Sequence, residues 1–123
     1  MPGAGNRDDG QGERVLSIDE MLEVLSNYQR RGIINHLRDT PGHVHSIDEV
    51  MHHLKHIEQQ KYGETPGDDH LLSVLVHVHG PKLEEAGLLD YDVPNREIRY
   101  RPNETVERML DEIDGIVEEL DRE

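Results

Sequence analysis

Nine histidines, 27 carboxylates and no cysteine define the coordination chemistry open to this 123-residue chain: imidazole nitrogen and carboxylate oxygen, without thiolate. Side chains four apart share a helix face, so His52 and His56, and likewise Glu49 and His53, stand at ligand spacing in MHHLKHIEQ. His43 and His45 could add ligands from the stretch before. No HExxH motif or cysteine cluster accompanies them, and such histidines are more often solvated polar residues. The expectation is therefore no resident metal, with His52 and His56 as candidates and bound ions of the K+/Cl− kind. His79, two residues after His77, cannot share its face and is expected to pack at a helix–helix seam. The chain has no nucleophile elbow, phosphate-binding glycine loop or zincin motif, and its carboxylates lie along solvated helix faces, so an enzyme is not expected.

Caps and periodicity mark the elements that must position these groups. Residues 1–14, MPGAGNRDDGQGER, are Gly-rich and aperiodic and read as a disordered tail, in which Arg7 and Arg14 could form a minor-groove arm. Ser17-Ile18-Asp19-Glu20 is a capping box opening a helix to about Ser26, with Ile18, Met21, Leu22 and Leu25 on one side. Asn27 caps a second helix, Tyr28 to Arg38, ended by Thr40-Pro41-Gly42. After an extended His43-Val44-His45, the tetrapeptide SIDE returns at Ser46 to Glu49 and opens a third helix through about Gln60. Tyr62 to Asp69 reads as a loop, with Asp68 or Asp69 capping a helix from His70 to Ala86. Gly80-Pro81 lies inside that helix, where a proline removes a backbone bond and kinks the axis. Gly87 ends it. Leu89 to Val93 and Glu97 to Arg101 alternate around Pro94-Asn95 as a hairpin. Asn103-Glu104 caps a last helix whose Val106, Met109, Leu110, Ile113, Ile116, Val117 and Leu120 form an a/d stripe.

A helix ending in LEEAGLL and running into a hairpin is the pattern of a winged helix-turn-helix. Lys82 to Leu89, KLEEAGLL, resembles the end of the recognition helix in ArsR, MarR and PadR-type transcription regulators. The longer HVHGPKLEEAGLLDYD, His77 to Asp92, resembles small winged-helix regulators of haloarchaea, PadR-like oxidative-stress regulators among them. Gly80 departs from the leucine such helices usually carry three residues before the Leu83 position. The fold expected is mainly α with a small β-hairpin: a winged helix-turn-helix over 15–102, with N-terminal and long C-terminal (103–123) dimerisation helices. The resemblance implies a homodimer bound to double-stranded DNA at palindromic operators, responding to reactive oxygen. Ser73, His77, His70 and Val74 would then face the major groove and Lys82 a phosphate. Asn95 and Arg96 would form the wing tip, with Arg99 behind it. Arg96 and Arg99 could instead pair with Asp90 or Asp92 across the hairpin. Arg30 and Arg31 could reach phosphates or pair with the preceding acidic helix. Met21 and the seven apolar residues of the last helix would meet a second copy, or pack back on their own core.

Charge complicates that expectation. Twenty-seven acidic and 13 basic residues leave −14, which repels a polyanion in ordinary salt. A salt-adapted cytoplasm resolves the conflict, because molar salt shortens the Debye length to about 3 Å and leaves DNA binding to local contacts. The other reading is an acidic protein-interaction module that keeps the winged-helix fold and does not bind DNA. No run of about 18 apolar residues predicts a membrane span, and no small-molecule substrate is implied.

Overall fold

The computed structural model describes residues 15–122; the expected disordered tail, with Arg7 and Arg14, lies outside them. Helix α1 (Ile18–Leu25) starts at the full capping box: the Ser17 hydroxyl accepts from the Glu20 amide at 3.0 Å, and the Glu20 carboxylate accepts from the Ser17 amide at 2.9 Å. Its buried face is Met21, Val24 and Leu25, a rotation from the expected stripe that leaves Ile18 and Leu22 exposed. Asn27 caps α2 (Tyr28–Asp39), accepting from the amides of Gln29 and Arg30. Helix α3 (Ile47–Tyr62) ends on Gly63 at φ 78°, a left-handed position that glycine takes without a Cβ clash.

The stretch expected to be extended is strand β1 (Val44–Ser46), which pairs with the hairpin of β2 (Leu89–Asp92) and β3 (Glu97–Tyr100). The sheet is antiparallel in the order β1-β3-β2, with His45 opposite Ile98, and Leu89 opposite Tyr100. Period-two alternation sends His45, Ile98, Tyr100 and Leu89 into the core and Val44, Glu97 and Arg99 outward. The core beneath is aliphatic, built from Ile33, Ile34 and Leu37 of α2, Ile47 and Leu54 of α3, and leucines of the following helices.

The helix after the Gly63–Gly67 loop is not continuous. Helix α4 (Asp68–Val74) begins two residues earlier than expected, with Gly67 rather than an aspartate at its cap. A π-helical segment, Leu75–His79, joins it to α5 (Gly80–Glu85). The Gly80 amide reaches back five residues to the Leu75 carbonyl, and Pro81 follows with no amide to donate. The Tyr91 hydroxyl donates to the Val76 carbonyl at 2.6 Å. Gly80 gives the tyrosine room, since a Cβ there would lie 2.7 Å from Tyr91 Cε1 and 2.8 Å from the Leu75 oxygen.

Asn103 caps the last helix, α6 (Glu104–Asp121), accepting from the Val106 amide at 3.1 Å. Its first half belongs to the domain: Val106 and Leu110 are buried, Met109 and Ile113 pack against the core, and Arg38 of α2 pairs with Asp111 at 3.0 Å. This corrects part of the expected dimer surface. Met21, Val106 and Leu110 are taken up by the chain's own core, while Ile116 (57% exposed) and Leu120 (66%) are not. Val117 is half-buried.

Candidate nucleic-acid interface and a histidine–carboxylate cluster

Spacings of three, four and seven residues place His70, Ser73, Val74 and His77 on one stripe of α4 and the π-helical segment. The structure leaves His70, Ser73 and His77 exposed and Val74 half-buried. At the hairpin, Asp92 holds the turn by accepting from the Asn95 amide at 3.2 Å and from its side-chain nitrogen at 2.7 Å. Arg96 follows at φ 54°, the left-handed region that a non-glycine residue enters at a cost of about 1–2 kcal/mol. Its guanidinium is exposed and pairs with Asp48 of α3, not with Asp90 or Asp92. Asp90 pairs instead with Arg101, whose Nε lies 2.7 Å away. The guanidinium of Arg99 is exposed on the outer sheet face and has no hydrogen bond or ion pair among the described residues. Lys82 is held 2.9 Å from Glu23, and that ammonium lowers the Glu23 carboxyl below its ordinary range.

Arg30 and Arg31, which could reach phosphates or pair with the preceding acidic helix, both turn to that helix. Arg30 is buried: its Nε donates to the Val24 carbonyl at 2.8 Å and its Nη2 to that of Glu23 at 3.1 Å, closing the C-terminal end of α1. A buried guanidinium cannot reach DNA, so Arg30 leaves the set. Arg31 donates to the Leu25 carbonyl at 2.8 Å, the last of α1. Both hold main-chain oxygens of α1, and the Arg30 charge also acts on the Glu23 carboxylate.

Arg30 also organises a buried polar chain that the sequence does not announce. Its Nη1 lies 3.3 Å from His79 Nδ1, and His79 Nε2 lies 2.8 Å from Gln29 Oε1. Gln29 Nε2 donates at 2.7 Å, and the Tyr28 hydroxyl at 2.5 Å, to one oxygen of buried Glu58. Because arginine only donates, Nδ1 of His79 accepts and Nε2 carries the proton. Burial first, then the Arg30 charge, push the His79 imidazole down to about 4, so the ring is neutral near pH 7.

A second cluster lies where α2, β1 and α3 meet. His36 Nε2 and His45 Nδ1 approach the same oxygen, Glu49 Oε2, at 2.6 and 2.9 Å. Burial alone would raise the Glu49 carboxyl, but the two imidazoles outweigh it and hold the group low. His53 stacks on His36 with ring centroids 4.7 Å apart, and burial pushes its own imidazole down. Of the residues expected to offer metal ligands, Glu49 and His45 are in this group and His53 lies beside it. His52 and His56 are exposed on α3 and do not join the group, whereas His36 of α2, which the sequence reading does not single out, does.

A family model matches residues 22–99, from within α1 to within β3. The chain belongs to the family described as Domain of unknown function (DUF7344). The DUF7344 span contains the α4 stripe, the hairpin up to residue 99 and the histidine cluster, and stops short of α6. No curated protein and no solved structure matches the chain.

Proposed function

We propose that this DUF7344 chain is a homodimeric winged helix-turn-helix regulator that binds double-stranded DNA in a salt-adapted cytoplasm. The observation that carries the reading is the joint placement of α3, α4 and the hairpin. A helix pair precedes a hairpin whose inner strand pairs with β1, and the second helix of the pair leaves a polar stripe uncovered. His70, Ser73 and His77 offer hydrogen-bonding groups for base edges, and Val74 an apolar surface suited to a thymine methyl. At the turn, an arginine occupies a backbone position where glycine would be less strained. Such a position fits a side chain held out for use, here Arg96 along the flanking backbone or minor groove.

The exposed Ile116 and Leu120 of α6, with exposed Ile18 and Leu22 of α1, support dimerisation. Two copies would place their α4 helices about one DNA turn apart, as reading a palindrome requires. The resemblance to oxidative-stress regulators extends the proposal to a reactive-oxygen response, sensed without cysteine.

The second reading is an acidic protein-interaction module with the same fold. Its support is that Lys82 and Arg96 are already engaged by Glu23 and Asp48. For DNA binding, phosphate must displace those carboxylates, an exchange that molar salt eases by screening both pairs. The deciding experiment is selection from a pool of genomic fragments across potassium chloride, from tenths molar to multimolar. Recovery of a palindromic site whose binding holds as salt rises supports the regulator. A folded dimer that selects no sequence at any salt sinks it and favours the module.

A further inference from the structure

We infer that His36, His45 and Glu49 form a binding site for one divalent first-row transition-metal ion, of the zinc or iron(II) kind, that ties α2, β1 and α3 together. The inference does not rest on DNA binding and would stand if that reading failed.

The geometry is that of a partly closed site. The three ligand atoms, His36 Nε2, His45 Nδ1 and Glu49 Oε2, all lie within 4.8 Å of one another. Ligands about 2.0–2.2 Å from a tetrahedral ion are separated by about 3.3–3.6 Å, so the Glu49 oxygen, now 2.6 and 2.9 Å from the two nitrogens, must draw back by less than about 1 Å to admit a cation. Two imidazoles and a carboxylate suit zinc or iron(II), whereas nitrogen donors disfavour magnesium and calcium. Glu49 is partly exposed, which leaves the remaining coordination positions toward water.

Two further observations single out this group. The first is His45, whose side chain is only 1% exposed. Among the described residues its Nε2 is a buried side-chain atom without a hydrogen-bond partner. An aliphatic side chain on this inward β1 position would leave no such atom unpaired. What the imidazole provides in return is Nδ1, aimed at Glu49.

The second is the fate of the repeated SIDE tetrapeptide. At Ser17–Glu20 the glutamate turns back to the serine amide and completes the capping box. At Ser46–Glu49 the serine still caps the helix, accepting from the Glu49 amide at 2.9 Å, but the carboxylate goes to the two imidazoles. The same local sequence thus gives up a cap contact for a three-residue donor set.

Binding moves the proton that each ring turns toward Glu49: a neutral ring changes tautomer, and an imidazolium releases one proton to solvent. Each imidazole then coordinates as a neutral ligand with its proton on the other nitrogen, which for His45 is the buried Nε2. For His36 that nitrogen, Nδ1, lies 3.5 Å from the Thr40 hydroxyl, a group able to accept it.

The test is titration of the full chain, after chelator treatment, with cobalt(II) followed by visible absorption and with zinc by competition. One ion per chain is expected. Glu49→Gln and His36→Gln should weaken binding at least about 100-fold, while a His52→Ala, His56→Ala control retains it. Because a cluster variant can fail to fold, imidazole nitrogen spectra of the unsubstituted chain with zinc provide a second readout. His36 Nε2 and His45 Nδ1 should move together at one equivalent. Absence of one-to-one binding, shifts confined to exposed histidines, or loss only in the control variant would overturn the site.

Discussion

The guanidinium of Arg30 lies 3.3 Å from Nδ1 of His79, so a permanent cation faces a ring that must stay neutral. The folded chain holds His79 near 4 against an ordinary 6.5, whereas the unfolded chain takes up the proton at the ordinary value. Between those two pH values the unfolded state binds more protons, so stability rises with pH there. The contribution is complete above about 6.5 and is lost as pH falls toward 4, on the order of 3 kcal/mol in all. Urea midpoints measured from pH 7 to pH 4 should fall accordingly, and His79→Gln should flatten the slope. An unchanged slope in that variant would assign the acid sensitivity elsewhere.

Gly80 and Tyr91 form the tight contact behind the π-helical segment. Gly80→Ala places a methyl 2.7 Å from the Tyr91 ring and 2.8 Å from the Leu75 oxygen, and the backbone oxygen cannot swing away. The expected loss is about 1–3 kcal/mol in denaturant unfolding, opposite in sign to the usual gain from alanine in a helix. Tyr91→Phe removes the 2.6 Å bond to Val76 and should cost about 1 kcal/mol.

Local chemistry was legible in the chain, and relative placement was not. Ser17, Asn27 and Asn103 cap helices because their side chains satisfy amides two or three residues on, which sequence alone specifies. Periodicity does not decide the rotation of α1, because Ile18-Met21-Leu22-Leu25 and Met21-Val24-Leu25 are both helical stripes. Packing selects the second, burying Val24 and exposing Leu22. His36 meets Glu49 only because α2 and α3 pack side by side, and no periodicity within either helix encodes that crossing. Arg30 misled for a related reason: an arginine in a first turn normally extends into solvent, and here the end of α1 folds back over it.

Arg96 separates stability from function. Arg96→Gly relaxes the left-handed residue at φ 54° and loses an exposed pair with Asp48 of little net worth. Thermal or chemical unfolding should show a variant as stable as the parent or up to about 1 kcal/mol more stable. On the regulator reading, its affinity for a selected operator should fall, with an intact dimer. A stabilised variant that binds DNA as well as the parent would remove the hairpin tip from the interface.

The two halves of α6 should respond differently to substitution. Leu110 is fully buried among the domain's own side chains, so Leu110→Ala should cost about 2–5 kcal/mol of stability. Ile116 and Leu120, four apart on the exposed end of the same helix, add little to the isolated fold. Changing both to glutamate places two more charges on a helix end that already carries Glu118, Glu119 and Asp121. If this end joins two copies, the double variant should sediment as a monomer in molar potassium chloride and keep its helical circular dichroism. A double variant that remains dimeric would move the contact to another surface, and exposed Ile18 and Leu22 of α1 would be the next pair to charge.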